Sequence, residues 1–132
     1  MYALRINEMS RSYLTLAEAY KTTAFLERNL LVREIVEKIS PFIEGIGAIF
    51  GSYAKGTANK ESDLDVFIAG SCNKEEIKKV SRKYGLEISV KCYPMETFKK
   101  NIAADLLLRE ILKNHLIFLN AGQFVRAALE NG

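Results

Sequence analysis

Apolar residues recur along this chain with two periods, and the changes of period mark its elements. From Ser10 to Arg28 they fall at Tyr13, Leu14, Leu16, Ala17, Tyr20, Ala24 and Phe25, the spacing of one helix face. A second helical run, Leu30 to Ile39, stops before Pro41, whose ring disfavours helix in the residue ahead of it. Met1 to Asn7 is a short mixed stretch that suits a strand or an arm. Beyond Pro41 the period shortens. Ile46-Gly47-Ala48-Ile49-Phe50 has the length and β-branched content of a buried strand. Leu64, Val66 and Ile68 alternate with Asp63, Asp65 and Phe67 in a second strand, which Gly70-Ser71 ends. Leu86, Ile88, Val90 and Cys92 alternate with Glu87, Ser89 and Lys91 in a third, which Pro94 breaks.

Helices fill the intervals. Asn73 is placed to cap a helix from Lys74 to about Tyr84, with Glu75 and Glu76 in its first turn and lysines later, matching the helix dipole. Gly85 suits its C-terminal close. Met95 to Asn101, Asp105 to Lys113 and Ala121 to Leu129 read as further helices, and His115 to Leu119 as a short final strand. The alternation shared by residues 64–68 and 86–90 gives two strands one common apolar face. The expected fold is therefore α+β: a small mixed β-sheet, helices packed mainly on one face, the aspartates exposed on the other, and two helices in front. Residues 1–43 form an N-terminal helical extension and residues 44–132 the sheet domain. The broad apolar face of the first helix is expected to cover the core, the alternative being a dimer contact.

Composition narrows the class. The chain has 132 residues, 48% hydrophobic and 27% charged, which suits one globular domain. Such a chain buries about two-thirds of its unfolded surface, so neither a disulfide nor a structural metal is required. Cys72 and Cys92 lack metal-ligand spacing, and a single histidine excludes the usual zinc sets. They read as reduced residues of an intracellular protein. No apolar run approaches the roughly 20 residues of a membrane span, and no signal-peptide pattern is present, so a cytoplasmic location with no membrane partner is expected. The formal charge of +3 is slight, and its excess lies mostly in residues 74–83 and Lys91, Lys99 and Lys100. A nucleic-acid footprint is more basic and more clustered, so direct nucleic-acid binding is not expected. His115 lies next to Asn114 at a strand start and reads as structural.

The stretch from Gly51 to Asp65 carries the chemistry. Gly51 and Gly56 let the backbone turn sharply and approach a ligand closely. Successive N–H groups in such a loop can form an anion-binding concavity. Ser52 and Thr57 add hydroxyl donors, and Lys55 adds a mobile positive charge for a phosphate oxygen. Asp63 and Asp65 share one strand face, roughly 6.5–7 Å apart along the backbone. Two carboxylates of this kind suit magnesium, which takes hard oxygen ligands together with substrate phosphates. In a two-metal site the ions sit about 3.5–4 Å apart, a gap two such aspartates can bridge. Taken singly, a G-x4-G turn or a D-x-D strand end is commonplace. Their spacing makes the case.

Gly51-Ser52, ten residues, then Asp63-x-Asp65, with an apolar strand on each side, closely resembles the signature of the minimal nucleotidyltransferases of the DNA polymerase β superfamily. The resemblance covers roughly residues 44–120 and implies a nucleotidyltransferase fold. It implies transfer of a nucleoside monophosphate, AMP from ATP by default, to an acceptor hydroxyl through two magnesium ions. Asp63 and Asp65 would hold metal, while Gly51, Ser52, Lys55, Gly56 and Thr57 would hold the nucleotide. Small proteins of this type are often paired with a helical toxin whose tyrosine they adenylylate, so such a toxin is a candidate partner beside a second copy of the chain. The N-terminal third resembles linker helices that precede such domains in archaeal proteins with a winged-helix module, which would be missing here.

Family members commonly carry a third carboxylate on the third strand, as a catalytic metal ligand. Counting back from Pro94 and Phe98 puts that position at Ser89, whereas the nearest acid is Glu87, on the same face but about 6.5–7 Å further along. Glu87 is thus a candidate third ligand and catalytic residue if the register differs from this count. A neutral Ser89 beside Lys91 would leave the catalytic ion undercharged. The alternative function is a catalytically weak nucleotide-binding or partner-binding module, antitoxin-like or regulatory.

Overall fold

A computed structural model describes residues 2–131, with side chains from residue 8 to residue 130. Helix α1 (Tyr2–Arg28) is followed by α2 (Leu30–Ile39), a single 3-10 turn and strand β1 (Ile43–Phe50). After α3 (Gly51–Lys55) come β2 (Leu64–Cys72), α4 (Lys74–Tyr84) and β3 (Ile88–Tyr93). Then follow α5 (Met95–Asn101), α6 (Leu106–Lys113), β4 (Leu116–Leu119) and α7 (Ala121–Asn131). The strands form one mixed sheet in the order β3-β2-β1-β4. β1 runs antiparallel to both β2 and β4, whereas β2 and β3 are parallel and joined through α4.

This is the expected α+β arrangement, and local signals explain its boundaries. Asn73 Oδ1 accepts from Glu76 N at 3.2 Å at the start of α4, and Gly85 closes the helix at φ 66°, a conformation that favours glycine. Several bounds differ from the sequence expectation: β1 begins earlier, at Ile43, β3 later, at Ile88, and three further differences bear on the site and the core. Met1 lies outside the described residues, but from Tyr2 the supposed arm is already helix. β2 passes through Gly70-Ser71 to Cys72 because Glu44 and Ile43 of β1 continue the pairing there. The stretch after β1 is a short helix, α3, not an open loop.

The strand alternation sorts the core into two layers. Leu64, Val66 and Ile68 join Ile49 and Ile88 beneath α2, which contributes Val32, Ile35, Val36 and Ile39, and beneath Ile77 of α4. One detail goes beyond what the alternation showed. The opposite face is open only near the aspartates, because past Asp65 the strand presents Phe67 and Ala69 to a second cluster. That cluster draws Phe98 from α5, Leu108 and Ile111 from α6, and Phe124 and Ala127 from α7. Phe67 lies 5.7 Å from Phe98, ring centre to ring centre, and is fully buried. Burying such a side chain contributes about 1.5–3 kcal/mol, so this half of the face is covered rather than solvated.

α1 lies against the domain through unexpected residues. Glu18, Thr22 and Phe25 face inward, and Thr22 is only 5% exposed, whereas Tyr13, Leu16 and Tyr20 face solvent. The expectation that the apolar stripe of this helix covers the core fails for these three residues. The docking contact is polar instead: Glu18 Oε1 lies 2.9 Å from His115 Nε2, and His115 Nδ1 lies 2.8 Å from Ile111 O. His115 is thus a structural link between α1 and the start of β4. Burial pushes the Glu18 carboxyl up, but the hydrogen bond and charge of His115, with Lys21 beyond, outweigh it and hold the group below the ordinary glutamate value.

The sign of the pH effect follows. A lowered folded-state value contributes stability that is present above the unfolded value of about 4.3 and lost as pH falls through the folded one. In denaturant titrations, Glu18→Gln should be less stable than the native chain at neutral pH, and the difference should shrink in acid below pH of about 4. A difference that stays constant with pH would remove the charge from this contact.

Candidate active site

β1, β2 and β3 set the site at one end of the sheet. The β1–β2 register puts Phe50 opposite Asp65, and the parallel β2–β3 register puts Ser89 beside Asp65 on the other side. Asp65 is therefore flanked within the sheet on both sides and half-buried, while Asp63, just before the strand, is exposed. Leu64 N donates to Glu87 O at 2.8 Å, which carries the parallel pairing one residue back and brings Glu87 level with Asp63. Alternation then puts Asp63, Asp65, Glu87 and Ser89 on one face.

The segment after β1 reaches the same place. Phe50 is extended, Gly51 turns at φ 69°, and α3 begins. A Cβ on Gly51 would overlap Asp65 Oδ2, so only glycine lets the backbone lie against this carboxylate. Tyr53 and Ala54 anchor α3 on the core, with Tyr53 edge-on to Phe25 at 6.5 Å. Gly56, at φ 77°, closes the turn, and Thr57 N donates to Ser52 O at 2.9 Å. Asn59 and Ser62 then hold the connection to β2 by mutual hydrogen bonds, including Asn59 N to Ser62 Oγ at 2.9 Å. Gly51 and Asp65, fourteen places apart in sequence, thus become neighbours.

One charged neighbour, Glu110, was not visible in the sequence, and a second, Lys91, was expected there. Lys55 Nζ lies 3.0 Å from Glu110 Oε1 on α6, so the expected phosphate-binding lysine sits in an ion pair across 55 residues of chain. Asp65 is raised above the ordinary aspartate value, first by burial, then by the charges of Asp63 and Glu110, with Lys91 opposing. Glu110 and Lys91 therefore belong to the electrostatics of the site. No short-range pattern links Glu110 to Asp65. Among the described residues, no three His, Cys, Asp or Glu side chains are grouped closely enough to hold a metal ion.

A raised folded-state value has a stability consequence opposite in sign to that of Glu18. The folded chain loses stability as pH rises through the unfolded and then the folded value of Asp65, and the loss persists at neutral pH. Asp65→Asn should therefore raise the melting temperature at neutral pH without divalent ions, and the gain should vanish below pH of about 3.9. A lower melting temperature at neutral pH would contradict the charge crowding described here.

No curated protein matches the chain. Among solved structures, the crystal structure of a toxin-antitoxin with AMP-PNP superposes with a TM-score of 0.51 at 15% identity, covering 76% of this chain and 81% of that one. At that identity the likeness is one of fold. The family profile described as "Nucleotidyltransferase domain" matches residues 29–120, from the last residue before α2 through the residue after β4. With the match spanning most of its length, the chain belongs to the nucleotidyltransferase domain family.

Proposed function

We propose that the chain is a minimal nucleotidyltransferase that moves a nucleoside monophosphate, AMP from ATP, onto an acceptor hydroxyl. The observation that carries this reading is the contact of the Gly51 backbone with the Asp65 carboxylate, which joins the glycine turn to the aspartates in one site. The acceptor oxygen would form a bond to the α-phosphorus as the bond to the β-phosphate breaks. Pyrophosphate leaves, and the hydroxyl proton passes to a site carboxylate or to water.

The donor set fits magnesium. Asp63, Asp65 and the Ser89 hydroxyl offer hard oxygens only, and the raised Asp65 carboxyl marks negative charge that a cation would relieve. When bound, magnesium would neutralise triphosphate charge and acidify the attacking hydroxyl. The chain's own residues do the positioning. Asp63 and Asp65 would hold the ions, while Ser52 and the N–H groups of Gly51 and the following turn would bind the phosphates. Gly56 and Thr57 fix the far end of that turn. Lys55 leaves Glu110 to meet a phosphate oxygen. An exposed ion pair contributes about 1 kcal/mol or less, so a triphosphate can displace Glu110 readily.

A second reading, nucleotide binding with little turnover, is favoured by the neutral Ser89 beside Asp65. Glu87 is exposed and level with Asp63. The structural neighbour is a toxin-antitoxin, which supports a protein acceptor or partner, such as a helical toxin bearing a reactive tyrosine.

Two measurements separate the readings. By calorimetry, Asp63→Asn with Asp65→Asn should abolish metal-dependent ATP binding while leaving the fold intact; unchanged affinity would refute the metal site. In transfer assays with labelled ATP, loss of activity in Glu87→Gln would make Glu87 the third ligand. Activity gained in Ser89→Asp, with Glu87→Gln silent, would make the native site a binding module. Robust native transfer unaffected by either change would contradict both assignments on the third strand.

A further inference from the structure

From Met9 to Thr22 α1 is amphipathic in the reverse of the usual sense, whereas further on Phe25 and Leu26 pack on the core. Its polar Thr15, Glu18 and Thr22 face the domain, and its apolar Met9, Tyr13, Leu16 and Tyr20 stand on the opposite side, 66%, 74%, 70% and 78% exposed. A surface helix normally hides its apolar stripe and solvates its polar one. Here the inward face is fixed by the Glu18–His115 contact, so the stripe is not a misdirected core face.

The geometry points to a second copy of this chain as the occupant of the stripe, with the two α1 helices packed antiparallel. The spacing of the four residues is 4-3-4, the a/d pattern of a helix–helix seam. It reads the same in both directions, which a two-fold interface between identical surfaces requires. Antiparallel pairing about the middle of the stripe brings Met9 of one copy against Tyr20 of the other, and Tyr13 against Leu16. The positions flanking the seam are Ser10, Ser12, Ala17 and Ala19, all small, uncharged and exposed. Close approach therefore meets neither bulk nor like charge.

The area is of the right order. At this exposure the two tyrosines alone offer on the order of 300 Å². Met9 and Leu16 bring the stripe to about the upper end of the roughly 300–600 Å² of the largest patch on an ordinary monomer. That approaches the roughly 800 Å² per partner of a stable interface. The seam lies on the far side of α1 from the sheet, so pairing leaves the end of the sheet at Asp65 accessible in both copies.

Sedimentation equilibrium tests this on the full chain. The native protein should show about twice its 14.9 kDa chain mass. Tyr13→Glu with Leu16→Glu should weaken association by at least ~100-fold and return the single-chain mass. Leu106→Glu, at a residue on α6 that is 81% exposed, should leave the dimer unchanged. Because the substituted side chains are solvent-facing, circular dichroism should show unchanged helicity in all three proteins. A native chain that stays monomeric up to its solubility limit would overturn the inference, as would a dimer that survives the two glutamates.

Discussion

The site depends on one constraint: a carboxylate held at one end of an apolar sheet, on an inner strand. Asp65 is one residue from the fully buried Val66 and two from Phe67, so the packing of both core layers fixes where its side chain begins. Phe50 and Ser89 flank it, and the Gly51 backbone lies against it. Burial and the charges of Asp63 and Glu110 all oppose its ionisation. The site thus gathers negative charge that the surrounding fold tolerates, a local cost of the kind a functional site carries. A cation bound between the aspartates would offset that charge.

Much of this was legible in the sequence where the signal was local. Asn73 and Gly85 bounded α4 because capping and a left-handed close are decided within a few residues. The family resemblance, counted back from Pro94 and Phe98, put the third-ligand position at Ser89, and the register sets that residue beside Asp65. What failed needed three-dimensional information. The spacing in α1 showed that a stripe exists but not what it faces, and the domain takes the opposite side of the helix through Glu18 and His115. The second core layer was hidden because β2 is apolar on both faces only after Asp65. Glu110 lies 45 residues beyond Asp65 on another element, and no periodicity could have connected them.

The contact between Lys55 and Glu110 alters the reading of the glycine turn. The sequence pattern offered a free cation for phosphate, whereas the structure shows one already neutralised at 3.0 Å. Such a pair tethers α6 to α3 across the mouth of the site. A phosphate would exchange one anionic partner of Lys55 for another, and the released Glu110 would then face Asp65 with less compensation. Nucleotide binding would in this way be coupled to the local charge balance of α6, through groups that contribute little to overall stability.

The central claim is that metal and nucleotide meet where Gly51 lies against Asp65, and paramagnetic broadening tests it directly. Manganese can replace magnesium with ATP while amide signals of the labelled chain are followed by NMR. Broadening should centre on Gly51, Ser52, residues 63–66 and Ser89, and should require ATP and the aspartates together. Broadening centred at the other end of the sheet, around Glu44, Asn73 and Glu75, or spread evenly over the surface, would contradict the account.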